Sequence, residues 1–175
     1  HIGGGGNNSF ISRVNDIRSD ADVIMILGGT NDFGHSSDGH LVTTEPFGNV
    51  NEAPTDQTYC GSIHCICREL QQKHPNAMII WITPLHHGIK ADTPEWKVDE
   101  RGDLKYPLVE NRNFDTQKTF REYVDAIKTI AQYYSLYIID AYTYSGISSI
   151  YDINNNFADG LHPTDRGNDK LASFL

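Results

Sequence analysis

The sequence lacks a long apolar run, an excess of basic charge and a disulfide framework. No stretch of about 18 or more apolar residues occurs in its 175 residues, so no membrane-spanning helix is predicted. Its 14 basic and 23 acidic residues give a net charge of −9, which disfavours a nucleic-acid partner because the chain would repel phosphates. The first residues also lack the basic and apolar regions of a signal peptide.

The cysteines are few and close together in the sequence. Cys60, Cys65 and Cys67 fall in a segment with a helical pattern, where their spacings are poor for disulfide bridging. Cys60, His64 and Cys67 would share one face of that helix, so a metal site is conceivable. Only three ligands converge there, and a buried cysteine usually behaves as a small apolar residue. We therefore predict neither a metal site nor a cofactor.

Three short apolar runs predict strands: residues 23–27, 78–82 and 136–139. They are rich in isoleucine and do not alternate with polar residues, which is typical of parallel strands buried on both faces. A helical pattern precedes each run, and a last helix is predicted from about Thr164 to the end. Helix and strand therefore alternate, which indicates an α/β fold with a parallel sheet.

Three apolar stripes define the helices before the strands. Their members are Phe10, Val14 and Ile17; Tyr59, Ile63, Ile66 and Leu70; and Phe120, Val124, Ile127, Ala131 and Tyr134. Asp56 and Asp115 are the predicted N-caps of the second and third helices.

Two long stretches without periodicity, about 33–55 and 86–114, follow the carboxyl ends of predicted strands. Ligands bind at that edge of open α/β sheets, so these loops are candidates for function. No linker, repeat or low-complexity tract divides the chain, and we predict one domain over residues 1–175.

A first polar motif, Gly28-Gly29-Thr30-Asn31-Asp32, follows the first apolar run. Its two glycines allow a tight turn, after which Asn31 offers an amide donor at the edge of the sheet. On its own, such a motif is more often an Asx turn in an ordinary loop.

A second motif, Asp159-Gly160-Leu161-His162-Pro163, lies near the C-terminus. Pro163 favours an extended backbone at His162. A carboxylate three residues before a histidine can accept a hydrogen bond from its Nδ1, which leaves Nε2 free as a general base. Alone, this pair is also compatible with a surface turn before a helix.

A third motif consists of four consecutive glycines, residues 3–6, followed by Asn7 and Asn8. Dinucleotide binding would require glycine or alanine at position 8 or 9, where Asn8 and Ser9 stand. Because glycines let backbone N–H groups approach a ligand, the motif is also compatible with a loop that donates hydrogen bonds to an anionic intermediate.

In their order along the chain, the three motifs resemble the SGNH (GDSL-like) hydrolase family of esterases and lipases. Gly6, with Gly5 as the alternative, resembles the second block of that family. Residues 29–32 resemble the third block, Gly-x-Asn-Asp, and residues 159–162 the fifth, Asp-x-x-His. The resemblance implies a three-layer α/β/α flavodoxin-like sheet of strand order 2-1-3-4-5, of which this chain would supply strands three to five.

The resemblance also implies roles for individual residues. His162 would be the general base, and Asp159 would orient it. The Gly6 N–H and the Asn31 amide would be oxyanion-hole donors. A serine at the end of the first strand of the family would be the nucleophile and supply a third donor.

That serine belongs to a Gly-Asp-Ser block, which the printed sequence does not contain. Ser62 lies within a predicted helix, Ser9 begins or caps another, and Ser36 and Ser37 lie in a long loop, so each is a poor replacement. Because His1 is not a natural first residue, we expect an upstream segment to supply the serine, two strands and a helix. It would pair with residues 23–27, whose apolar edge carries no protective lysine or proline.

These features predict a serine esterase that acts on small acyl esters. Acetylated carbohydrate is the favoured substrate class, by family analogy and because aromatic residues occur in or near the loops: Trp96, Tyr106, Tyr142, Tyr144 and Tyr151. Further candidates for substrate binding are Thr30, Asp32, His86 and His87. Ordinary alternatives exist for three of them, since Asp32 could bind neighbouring backbone and both histidines could be solvated loop residues.

Two other functions remain open. One is a non-catalytic ligand-binding module on the same fold, which would apply if the natural protein has no serine nucleophile. The other is a nucleotide- or phosphate-binding α/β domain that uses the glycine loop, although the acidic charge and the glycine spacing disfavour it.

Overall fold

A computed structural model describes residues 1–3, 9–34, 45–86, 112–148 and 153–175. The chain forms two compact units, whose bounds are His1–Pro84 with Arg112–Asp140, and Leu85–Asn111 with Ala141–Leu175. The first unit contains a parallel sheet with helices, which confirms the predicted α/β class. No helix in the described ranges is both long and apolar enough to cross a membrane.

The sheet has three strands, β1 (Val23–Leu27), β2 (Met78–Ile82) and β3 (Tyr137–Ile139). They pair in the order β1-β2-β3, and both pairings are parallel. The three predicted apolar runs are thus the three strands, apart from Leu136. β1 is an edge of this sheet, and no strand among the described residues pairs with its outer side, so the predicted pairing with an upstream segment stays a prediction.

The prediction that both faces of these strands are buried is wrong for β1. Ile24 and Ile26 are each 7% exposed, whereas Val23, Met25 and Leu27 are 53%, 54% and 46% exposed. Successive side chains of a strand point to opposite faces, so one face of β1 is packed and the other is only partly covered by the described residues.

In the part of the chain that the structure describes, helices of several turns and single helical turns lie before, between and after the strands. The main pair in the first unit is α3 (Tyr59–Lys73) and α4 (Phe120–Tyr133), which pack on each other. Their predicted stripes are confirmed: the members from Tyr59 to Leu70 and from Phe120 to Ala131 are all buried. Only Tyr134, which lies just past α4, is less buried.

Both predicted N-caps are wrong, because each helix begins at the first residue of its stripe and the threonine directly before that residue is the cap. Thr58 caps α3, and its hydroxyl accepts a hydrogen bond from Gly61 N. Thr119 caps α4 in a capping box with Glu122, whose carboxylate accepts from Thr119 N at 2.9 Å. Asp56 and Asp115 therefore lie in the turns before the helices.

The first helical stripe forms only a short element. α1 (Phe10–Arg13) is followed by a 3-10 turn at Val14–Asp16, and Ile17 lies beyond it in extended backbone. Ser9 caps α1, since its Oγ accepts from Ser12 N at 3.3 Å. This confirms the predicted place of Ser9 at the start of the helix.

The second unit contains α5 (Ala141–Tyr144), α6 (Ile153–Asn156) and α7 (Asp165–Phe174), and α7 contacts both of the others. Thr164 caps α7 by accepting from Gly167 N at 3.2 Å, which confirms the predicted start of the last helix. A Cβ at Gly167 would lie 2.2 Å from the carbonyl oxygen of Asn156. Glycine therefore lets α7 approach the backbone that leads into the Asp159–His162 loop.

Candidate active site

The Asp159–His162 loop is closed by a short antiparallel bridge between Phe157 and Pro163. Ala158 N donates to the His162 carbonyl at 2.9 Å, and Thr164 N donates to the Asn156 carbonyl at 2.9 Å. Gly160 lies at the tip with φ 82°, a left-handed conformation that favours glycine. The backbone therefore turns sharply between the aspartate and the histidine.

The carboxylate of Asp159 holds the whole turn together. Its Oδ1 accepts from Leu161 N at 2.9 Å and from His162 N at 2.8 Å, while its Oδ2 lies 2.7 Å from His162 Nδ1. The hydrogen bond from the His162 backbone N–H is the main cause that holds the pKa of Asp159 well below its usual range. The imidazole and the Leu161 N–H act in the same direction.

This geometry fixes the histidine tautomer. An ionised carboxylate can only accept a hydrogen bond, so the proton shared with Asp159 is carried by Nδ1 and the lone pair lies on Nε2. The His162 side chain is 75% exposed, and Nε2 has no hydrogen-bond partner among the described residues. The sequence spacing predicted this contact, and the arrangement can take a proton from a hydroxyl group.

The Asn31 region begins where β1 ends. Gly28 and Gly29 connect the strand to the single turn α2 (Thr30–Phe33). A Cβ at Gly28 would lie 2.3 Å from the Phe10 ring. Gly29 has φ 116°, and a Cβ there would lie 2.9 Å from Ile127 Cδ1. Both glycines are therefore required for the chain to turn here against packed side chains.

Contacts of its last residue, Phe33, hold the turn α2 in place. Phe33 packs against the rings of Phe120 and Tyr123, with centroid distances of 5.1 and 5.4 Å. Asn113 Nδ2 donates to the Phe33 carbonyl at 2.7 Å, and Asn113 is fully buried. Sequence reasoning missed Asn113, because it is one polar residue in a loop without periodicity and no motif contains it.

Within this turn, Asn31 points into solvent. The residue is exposed, and its side-chain amide makes no hydrogen bond to other described residues. An amide that is held on a rigid turn and has no protein acceptor can donate to an oxyanion without first breaking a bond.

Asp32 is not open to substrate. It is 0% exposed, and its Oδ1 accepts a hydrogen bond from Ile2 N at 2.6 Å. The prediction that Asp32 binds substrate is therefore replaced by the alternative given with it, a hydrogen bond to backbone. That backbone is 30 residues away in the sequence rather than adjacent.

The other predicted site residues are only partly described. Thr30 is half-buried at the start of α2. His86 is also half-buried and stacks on Tyr142, with ring centroids 3.7 Å apart. Gly6 and His87 lie outside the described residues, as do Ser36 and Ser37.

Ser62 does not have the setting of a nucleophile. It lies within α3, as predicted, and is 0% exposed. An activated serine needs a base within hydrogen-bond reach and access for an ester. The histidine nearest in sequence, His64, is already engaged, since Nδ1 lies 3.2 Å from Tyr134 Oη and Nε2 lies 3.0 Å from the Val50 carbonyl.

The cysteines of α3 behave as core residues. Burial raises the pKa of Cys60 and Cys67 to about 12, so both thiols stay protonated near neutral pH. Both ring nitrogens of His64 already have partners. In the described ranges, no three potential ligands come together in a way that could hold a metal ion.

Comparison with known proteins gives a family match over most of the chain. The model of the GDSL-like Lipase/Acylhydrolase family matches residues 2–170. No curated protein matches the chain significantly.

Several solved structures share the fold. A protein from Lactobacillus plantarum is 21% identical with a TM-score of 0.74, and the match covers 99% of this chain and 73% of that one. A possible lipase from Chitinophaga pinensis DSM 2588 is 22% identical with a TM-score of 0.55, covering 88% and 70% of the two chains. The acetyl xylan esterase AlAXEase is 18% identical with a TM-score of 0.56, covering 93% and 72%.

Proposed function

Because the chain belongs to the GDSL-like lipase/acylhydrolase family, we propose that it works as a serine esterase on small acyl esters. The observation that carries the proposal is the contact of 2.7 Å between Asp159 Oδ2 and His162 Nδ1, together with the unpartnered Nε2. A histidine held in this tautomer is a general base ready to activate a hydroxyl nucleophile.

The proposed reaction proceeds in two halves. His162 Nε2 takes the serine proton as the serine oxygen attacks the ester carbonyl carbon, and it then gives that proton to the departing alcohol. Water, activated by the same Nε2, next attacks the acyl-serine, which releases the carboxylic acid and restores the serine. Asp159 stays ionised throughout and stabilises the imidazolium formed in each half.

The oxyanion of each tetrahedral intermediate would be stabilised by neutral donors. We assign one donor to the side-chain amide of Asn31, since it is exposed and held on the turn α2. The Gly6 N–H, by resemblance to the family, is the second. Donors of this kind stabilise charge that exists only in the transition state, so they act on kcat more than on KM.

The proposed nucleophile is a serine of the same protein outside the printed sequence. Two observations support this. Among the described serines, Ser9 caps α1 and Ser62 is buried in α3, so neither is placed for attack on an ester. The outer side of β1 has no partner strand in the described residues, and Val23, Met25 and Leu27 are about half exposed, which suits cover by a further segment.

For the substrate class we propose acetyl esters of carbohydrates. The reasons are family analogy and the aromatic side chains near the strand ends, of which His86 and Tyr142 form a stacked pair. A protein of the same fold is named an acetyl xylan esterase, which makes acetylated xylan a suitable first substrate beside a simple aryl acetate. Neither reaction requires a cofactor.

A fluorophosphonate probe tests the proposal directly, because it reacts covalently with activated serines. The natural full-length protein is treated with the probe, its intact mass is measured, and the modified peptide is sequenced. We expect one adduct, on a serine outside the printed sequence, and its loss in His162→Asn.

Two results would contradict the proposal. An adduct on a serine of the printed sequence would show that the assigned nucleophile is wrong. A folded full-length protein that neither reacts with the probe nor hydrolyses an aryl acetate is not an esterase of this mechanism, and the non-catalytic ligand-binding module would then be the better reading of the fold.

A further inference from the structure

Two acidic side chains lie buried together beneath the Asn31 turn. Asp32 is 0% exposed and Glu45 is 6% exposed, and the two carboxyl groups lie close enough for the charge of one to act on the other. Two negative charges placed this close in a buried site disfavour each other strongly, so one of the two groups keeps its proton. The pair therefore holds one shared proton in the folded protein.

The pair also holds the backbone that leads into the glycine motif. Asp32 Oδ1 accepts from Ile2 N at 2.6 Å, and Gly3 follows Ile2 directly in the chain. Asp32 thus connects the backbone at the start of the glycine motif to α2, the turn that carries Asn31.

Gly3 is fitted closely against the same pair. A Cβ at Gly3 would lie 1.9 Å from Ser62 Oγ and 3.1 Å from Glu45 Oε2. The backbone therefore lies directly on Ser62 and Glu45, with no space for a side chain. A change in the charge or position of the carboxyl pair would therefore shift this backbone, because tightly packed interiors transmit small displacements.

Other titratable groups face the pair. His1 Nδ1 lies 3.9 Å from Asp32 Oδ1. The other titratable groups are the hydroxyls of Tyr59 and Tyr123, the Cys60 thiol and the Lys118 ammonium, and Lys118 lines the same cavity as Glu45. The phenols and the thiol are neutral near pH 8, since burial raises the pKa of Tyr123 and Cys60 to about 12 and that of Tyr59 well above its ordinary value.

We propose that Asp32 and Glu45 are positioning residues, whose shared proton keeps the start of the glycine motif fixed against the turn that carries Asn31. The catalytic consequence rests on the proposed esterase function. The carboxyl pair itself does not, because it is defined by the burial of both groups, the Ile2 N–H bond to Asp32 and the close fit of Gly3 against Glu45.

The pair predicts a particular pH dependence. Burial, and then the charge of Asp32, raise the pKa of Glu45 from 4.5 to about 8. Between pH 4.5 and about pH 8, the folded protein keeps a proton on this pair that the unfolded chain has lost. The stability that this proton contributes is therefore fully present below about pH 4.5 and is lost as the pH rises through about 8.

Glu45→Gln is the informative variant, because glutamine can donate a hydrogen bond to Asp32 but cannot ionise. Melting temperature is measured from pH 5 to 9 on the full-length protein, beside Glu69→Gln as the matched control. Glu69 forms only a partly exposed ion pair with Lys73 on α3. We expect the wild type and the control to lose roughly 4 °C or more across this range relative to Glu45→Gln.

The activity readout separates positioning from simple stability. With an aryl acetate at temperatures well below melting, we expect kcat of the wild type to fall at least about tenfold above pH 8, as the pair loses its proton, while KM changes little. Glu45→Gln should keep kcat over the same range. Asp32→Asn should also remove the alkaline loss, because a neutral amide leaves Glu45 without a charged neighbour.

Each outcome decides a separate point. If the melting curves of wild type and Glu45→Gln run parallel, the shared proton does not exist and the proposal is overturned. If the melting curves differ but the alkaline loss of kcat is the same in both, the pair is structural and does not position the site. If no variant has esterase activity while the melting curves differ, the proposed function fails and the carboxyl pair stands.

Discussion

Two aspartates of this protein accept hydrogen bonds from backbone N–H groups at tight turns, yet their pKa values are shifted in opposite directions. Asp159 is 47% exposed, and its pKa is held well below the usual range by three hydrogen bonds from the two residues it faces. Asp32 is fully buried, and burial raises its pKa although the Ile2 N–H opposes the shift.

The difference shows that hydrogen bonds alone do not decide the charge of a carboxyl group. Each N–H donor favours the ionised form, but removal of water disfavours it, and the balance depends on how many donors replace the lost hydration. Asp159 keeps much of its water and gains an imidazole partner. Asp32 loses its water and has another acid as its neighbour, so the buried pair retains a proton.

The largest loss of activity is expected from Asp159→Asn, which removes the charge of the exposed aspartate. Asparagine has nearly the same shape but cannot stabilise an imidazolium, and its amide would favour the wrong histidine tautomer. We expect kcat to fall by about 10,000-fold, as measured with an aryl acetate.

Asp165→Asn is the matched control for this variant. Asp165 is also exposed and lies three residues beyond His162, in the first turn of α7, so the chemical change and its place in the chain are similar. A loss of activity in Asp159→Asn that is no greater than in this control would remove Asp159 from the mechanism.

A smaller effect is expected from the exposed neighbour of the buried aspartate. Asn31→Ala removes one oxyanion donor, and such losses lower kcat by about 100- to 1,000-fold. Because Asn31 is exposed and its amide bonds no other described residue, the melting temperature should stay within about 1 °C of the wild type. If the melting temperature of Asn31→Ala falls clearly along with kcat, Asn31 contributes to the fold and the loss of activity does not show that it binds the oxyanion.

The sequence predicted interactions that are local and missed those that are not. Asp159 and His162 are three residues apart, so their contact depends on one turn, and Gly160 and Pro163 signal that turn. The hydrogen bond between Ile2 and Asp32 joins positions 30 residues apart, and that between Asn113 and Phe33 joins positions 80 residues apart. Neither follows from a period or a motif, because each depends on how the sheet and helices bring the two positions together.

The same division explains the errors in the fold. Apolar runs identified all three strands, since composition and length are enough for that. They did not show that Val23, Met25 and Leu27 would be half exposed, because burial depends on what covers a face. The stripes located α3 and α4, but Thr58 and Thr119 cap them in place of the two aspartates, since several polar residues before a helix can serve equally well as caps.

The smallest expected effect tests how tightly the buried region is packed. Gly29 and Gly146 both have positive φ, at 116° and 72°, so alanine at either position is strained. A Cβ at Gly29 would also lie 2.9 Å from Ile127 Cδ1 and 3.1 Å from Tyr59 Oη, whereas none of the described atoms lies within 4 Å of a Cβ at Gly146. We expect Gly146→Ala to lower the free energy of unfolding by about 1 kcal/mol and Gly29→Ala by about 2–4 kcal/mol, as measured by urea denaturation. Equal losses would mean that the backbone strain alone requires glycine at position 29, and that the packing around the Asn31 turn is loose enough to accept a methyl group.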